Sequence, residues 1–125
     1  KDVLPKTFFV NSIKVTPDKQ DTIDAMFDNE FNPKFDAVVE ENIKRTVFTA
    51  ERADAKVTEY LDNEVVIKTN NPEDGFLVLT DSFYPTWHAR IDGEQEIKIY
   101  RADYNFRGIF VPKGKHVIRF YSSLL

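Results

Sequence analysis

The chain of 125 residues has no cysteine, and that absence removes disulfides, thiolate metal sites and a cysteine nucleophile together. Positive charge is in short supply. With 17 Lys and Arg against 21 Asp and Glu, the formal net charge is −4, which leaves no basic field for a phosphate backbone and excludes nucleic acid as an expected partner. Long apolar runs are missing as well. The longest, "FLVL" and "VVI", fall far below the roughly 20 residues of a membrane-spanning helix. The four glycines are scattered among turns, so no glycine-rich phosphate loop exists. Histidine is limited to His88 and His116, on different predicted strands, with no carboxylate at a recognised ligand spacing beside them. No metal site and no cofactor are expected. Ser82 follows Asp81, but it lacks a G-x-S-x-G elbow and a histidine placed to act as its base, so hydrolase chemistry has no support. The acidic residues read mostly as solvated surface, since sequence alone does not pair them in space. No catalytic residue is assigned.

What is present is apolar and aromatic. Apolar residues make up 42 % and aromatics 14 %, with eleven phenylalanines, the composition of a packed globular chain. The length suits one domain over residues 1–125. No signal peptide is visible. The chain starts at Lys1 and stops at "YSSLL" just after a predicted strand, which reads as two cuts in a longer protein.

"TFFVNSIKV" (7 to 15) predicts a strand, rich in β-branched and aromatic residues. Thr16 as N-cap and Pro17 at the first turn predict one helix over about 17 to 29, packed through Ile23, Met26 and Phe27. Everything after it reads as β-structure. "DAVVEE" (36 to 41) is a short strand, and the polar stretch 42 to 54 has no assignment. "AKVTEYL" and "EVVIKT" flank a hairpin turn at "DN". "FLVLTD" (76 to 81) is apolar on both faces, as a central strand would be. In "TWHARI" (86 to 91), Trp87 shares a face with Ala89 and Ile91 and is expected in the core. "DGEQ" turns the chain into "EIKIY" (96 to 100), with Ile97 and Ile99 inward. "FRGIFV" breaks alternation at Gly108, which predicts a bulge or a close backbone approach, and "PKGK" leads into "HVIRFY". Short strands at regular spacing after one N-terminal helix predict a mainly-β fold, a β-sandwich of mostly antiparallel strands.

Two polar-aromatic clusters sit at predicted strand ends. One is Asp81, Ser82 and Tyr84 around Pro85, and the other is "RADYNFRG" (101 to 108). If they converge on one rim, Asp81, Tyr84, Arg101, Tyr104 and Arg107 form a patch for a glycan or a lipid-phosphate head group. The competing reading is a corner tied by Arg–Asp hydrogen bonds, which would use the same residues.

These clusters also carry a resemblance. "GFLVLTDSFYPTWHARIDG" followed by "IYRADYNFRGIFVPKGKHVIRFYS" resembles the C-terminal extracytoplasmic region of the YfhO-like family of bacterial membrane proteins, and "LPKTFFVNSIKV" and "FNPKFDAVVEE" look like its lead-in. The resemblance implies a β-rich domain on the extracellular or periplasmic side of a membrane. It would be attached to the membrane helices of the same parent chain, which looks like a glycosyltransferase using a lipid-linked sugar. Catalytic residues would lie near those helices, leaving this fragment non-catalytic and suited to positioning an acceptor glycan of the cell envelope. Alternatives are a stand-alone carbohydrate-binding module and a structural or protein-interaction domain of an envelope assembly. Phe83 and Thr86 depart from the tyrosine and glycine common in the family, which puts a side chain at a tight bend.

Overall fold

From Gly75 to Leu79 every residue is buried. Alternate side chains of a strand point to opposite faces, so such a strand needs cover on both sides. A computed structural model describes residues 4–123 and shows how that cover is built. The chain runs through β1 (Thr7–Phe9), β2 (Ser12–Val15), helix α1 (Lys19–Met26), β3 (Asp36–Val39), β4 (Asp54–Leu61) and β5 (Glu64–Asn71). It continues through β6 (Gly75–Leu79), β7 (Trp87–Ile91), β8 (Glu96–Ile97), β9 (Tyr100–Ala102), β10 (Phe106–Val111) and β11 (Gly114–Ser122).

Two sheets result, ordered β1-β6-β10-β9-β3-β2 and β4-β5-β11-β7-β8. All pairings are antiparallel except β2 with β3, which α1 joins as a crossover. Leu77 and Leu79 of β6 meet Ile67, Ala89, Ile118 and Phe120 of the other sheet, forming the core of a sandwich. The opposite face of β6 carries Phe76 and Val78, which pack with Val10, Ala37, Val39, Phe48 and Ala102. The stretch left unassigned from 42 to 54 supplies part of that cover. Phe48 is buried there, its N–H donates to Asn11 O at 2.7 Å, and Val47 bridges Ser12.

The mainly-β sandwich with one short helix is as expected, but several local readings change. The stretch 7 to 15 is two strands. At Val10 and Asn11 the backbone turns from Phe76 O to Phe35 O, so β1 joins β6 and β2 joins β3. The helix starts later, because Asp18 and not Thr16 caps it, its carboxylate accepting from Asp21 N at 2.9 Å. Its inward face is Thr22 and Ala25, with Ile23 and Met26 half-buried. Phe27 does not pack as expected and is 84 % exposed. The helix ends at Met26, and Phe27 at its C-cap has ψ of 1°, so its side chain leaves the inward face.

"EIKIY" is also divided. Ile97 pairs with Ala89 in one sheet and Tyr100 pairs with Gly108 in the other, so the chain crosses between layers at this point. Gly108 carries no bulge, since Arg107, Gly108 and Ile109 pair in sequence with Leu79, Val78 and Leu77. The close-approach alternative holds. The irregularity in register lies in edge strand β4, between Val57 and Glu59, where it interrupts an otherwise open pairing edge.

Candidate functional site

The loop from β6 to β7 bends at Tyr84–Trp87, where Trp87 N–H donates to Tyr84 O at 3.1 Å. Pro85 takes the second position of this turn, its preferred place. Thr86 in the third position is not among the residues with positive φ, so this turn does not need a glycine there. Phe83 N–H donates to Asn105 O at 2.8 Å, which brings the β9–β10 hairpin alongside. The two predicted clusters therefore meet at one end of the sandwich.

Arg107 is the centre of the first group. It is 4 % exposed, its guanidinium lies 4.0 Å from the Trp87 ring centroid, and its Nε donates to Ser82 O at 2.9 Å. Nη1 stands 4.0 Å from Asp81 Oδ2 and has no hydrogen-bond partner. Burial draws the guanidinium below its usual value, against the pull of Asp81. Asp81 itself accepts from Lys6 and, at 3.0 Å, from the Tyr60 hydroxyl. Tyr60, Asp81, Ser82, Tyr84, Trp87 and Arg107 line an open cavity of about 290 Å³, and Tyr84 is 58 % exposed beside it. A larger basin of about 600 Å³ runs beside Phe8, Phe35 and Ala55, but volume alone does not select a site. The buried guanidinium with an unpartnered Nη1 does.

Arg101 and Tyr104 form a second group next to this cavity and are not part of its lining. Arg101 lies 4.9 Å over the Phe83 ring and its Nη1 contacts Tyr104 O at 3.3 Å, while Lys19 sits 5.4 Å over the Tyr104 ring. Asp81, Tyr84 and Arg107 are brought together; Arg101 and Tyr104 flank them. The corner reading expected Arg–Asp hydrogen bonds; Arg107 instead ties the loop through Ser82 O and stands 4.0 Å from Asp81. Tyr60 and Lys6 were not anticipated, being 21 and 75 residues from Asp81 with no sequence pattern linking them.

Asp103 beneath the hairpin was offered by sequence only as a corner partner for Arg101 or Arg107, and it takes its hydrogen bond from Val38 N instead. It is 5 % exposed with φ of 49°, and its Oδ1 accepts from Val38 N at 2.8 Å while Oδ2 has no partner. Burial pushes its carboxyl up to about 6, opposed by the Val38 hydrogen bond and aided by nearby Asp36. The ordinary value is 3.8, so the folded chain holds this proton more tightly than the unfolded one. The resulting stabilisation is full below the unfolded value and is lost as pH rises through about 6. Between pH 7.5 and 4.5 Asp103 should add about 2 kcal/mol relative to Asp103→Asn. Urea melts of both chains at the two pH values measure that difference, and equal pH slopes would refute it.

The two histidines are both engaged. His88 Nδ1 lies 2.6 Å from Glu96 Oε2 and its ring stacks on Tyr121, while His116 Nδ1 lies 2.7 Å from Asp92 Oδ2. Among the described residues no group of three or more His, Cys, Asp or Glu could hold a metal ion, and no helix is long and apolar enough to cross a membrane. No curated protein matches the chain, and no solved structure does. The model of the family described as bacterial membrane protein YfhO matches residues 20–122, and the matched stretch contains all of α1 after Lys19, the rim loop, the β9–β10 hairpin and Arg107. This chain belongs to the YfhO family of bacterial membrane proteins.

Proposed function

We propose that this chain is a non-catalytic, single extracytoplasmic domain of a multi-spanning, glycosyltransferase-like membrane protein, and that its rim cavity positions an acceptor glycan of the cell envelope. The observation that carries this reading is Arg107, whose guanidinium is buried against Trp87 with Nη1 unpartnered at the cavity. A buried donor without an acceptor costs free energy, and a ligand oxygen at that position would relieve it. Around it, exposed Tyr84 offers a ring face to the C–H side of a sugar, and Asp81 offers a carboxylate to its hydroxyls. Lys6 and Arg107 are opposed by Asp81 and Asp62, so the charge at the rim is balanced and favours a neutral sugar over a phosphate. Asp81, Tyr84 and Arg107 are the contacts. Arg101 and Tyr104 extend the lip along which a longer glycan would run.

In this reading the partners are the membrane helices of the same parent chain and the glycan, with no cofactor or metal involved. Sugar transfer belongs to acidic residues outside this chain. Tyr84→Ala separates binding from folding, because an exposed ring contributes little to stability. Its melting should shift by less than about 0.5 kcal/mol. Calorimetric affinity for glucose or N-acetylglucosamine oligosaccharides should fall roughly tenfold, as expected for one lost aromatic stack. Affinity unchanged by Tyr84→Ala, or no heat from any neutral oligosaccharide at millimolar concentration, would overturn the proposal.

A further inference from the structure

The register of the five-stranded sheet builds a second feature, from residues other than those that line the rim. On the outer face of β4, β5 and β11, Asp54 pairs with Asn70 and Asn70 with Lys115; in the next row Lys56 pairs with Lys68 and Lys68 with Val117. Directly paired residues share a face, so these six form one grid two rows deep. Lys56, Lys68, Asn70 and Lys115 are exposed, and they line a basin of about 380 Å³.

The charges in this grid are unusual for a chain of net charge −4. Lys56 and Lys68 stand directly opposite each other, an arrangement that costs stability in a sheet. Nearby Arg119 is paired with Glu64, yet no ion pair links Lys56, Lys68 or Lys115 to a carboxylate among the described residues. Two acids line the same basin. Asp92 is already held by His116 and by Val117 N at 2.8 Å, which leaves Asp54 at one corner against three ammonium groups. A like-charge pair kept at direct register, with a third ammonium in the adjoining row, suits an anion with several acceptor oxygens.

We infer that the Lys56–Lys68–Lys115 grid binds a phosphate group, carried either by a soluble phosphate compound or by an anionic lipid head group. The rim cavity takes no part in this, so the two proposals fail separately. Two arms distinguish the sources. In the first, the isotopically labelled chain is titrated with inorganic pyrophosphate, with sodium chloride at matched ionic strength as reference. Amide shifts should concentrate at residues 54–56, 68–70 and 115–117. In the second, the chain is sedimented with vesicles of phosphatidylglycerol or of phosphatidylcholine.

Pyrophosphate shifts at the grid, weakened at least about tenfold in Lys56→Ala/Lys68→Ala and independently reduced in Lys115→Ala, support a soluble phosphate. Co-sedimentation with phosphatidylglycerol alone, lost in the same variants, supports a head group. All three lysines are exposed on the strands, and unchanged melting of the variants confirms that binding and not folding was altered. Neither pyrophosphate shifts nor co-sedimentation, shifts reproduced by sodium chloride, or undiminished binding by the double variant would each overturn the inference.

Discussion

Truncating Phe76 to alanine should destabilise the chain by about 3–5 kcal/mol, the range for large aromatic residues in a closed core. Phe76 is fully buried on the second face of β6 and meets Phe110 edge-on at 5.0 Å and Tyr100 at 6.1 Å. Two rings therefore lose a common neighbour. The same ring explains Gly108. A Cβ at that position would lie 2.3 Å from Phe76 Cζ, closer than any real contact, so Gly108→Ala should cost about 1–3 kcal/mol or more by overpacking. The two changes are coupled by contact, and that makes a sharper test. In a Phe76→Ala background the added methyl fills part of the cavity, so Gly108→Ala should become nearly neutral or stabilising. Equal costs for Gly108→Ala in both backgrounds, measured by urea unfolding, would show that the glycine serves something other than this ring.

Trp87→Ala is the second large effect, expected at about 3 kcal/mol, the low end for a buried tryptophan. The ring is half-buried and packs on the inter-sheet core with Ile91 and Ile97 as neighbouring contributors. Its other role is to cover Arg107, whose guanidinium rests 4.0 Å from the ring centroid. Alanine removes both, and water then reaches a guanidinium that the fold keeps nearly dry. Trp87→Phe retains a ring for core and cation and should recover more than half of the loss. A cost below about 1 kcal/mol for Trp87→Ala would mean that the ring is a lid on the rim and not part of the core.

The parts of the fold legible in the sequence are those where local chemistry and tertiary packing agree. The β7 turn at Asp92–Gly93 has both residues at positive φ, as the Asp-Gly pair predicts, and Asp62–Asn63 joins β4 to β5. "FLVL" reads as central because both of its faces are apolar, and both are covered. Segment 42–54 was illegible because Ile43, Val47 and Phe48 follow neither a helical nor a strand period. Its position is set by Asn11 and Ser12, more than thirty residues earlier. The division of 7 to 15 was hidden for a similar reason. Nothing in "FFVNSI" marks a change of pairing partner; Phe76 and Phe35 decide it.

At the rim, sequence supplied the residues of one loop and one hairpin, and the structure supplied the company they keep. Asp81, Tyr84 and Arg107 were identifiable as polar or aromatic residues at strand ends. Tyr60 and Lys6 were not, since each reaches Asp81 only through sheet topology. Asp103 and Tyr104, at φ of 49° and 74°, show why the hairpin was hard to read: neither is a glycine, and both hold left-handed backbone. Asp103 ties β3 beside β9 twice, its carboxyl accepting from Val38 N and its N–H donating to Val38 O at 2.8 Å.

The most direct measurement of the proposed role is a map of backbone amide shifts as neutral envelope oligosaccharides are titrated into the isotopically labelled chain. The account predicts saturable shifts confined to residues 60–62, 81–87 and 105–107, with the Arg107 side-chain N–H signals moving as a ligand oxygen engages Nη1. Saturable shifts that leave Asp81, Tyr84 and Arg107 unmoved, or no shift at millimolar glycan, would contradict it and leave the cluster as the corner that joins two sheets.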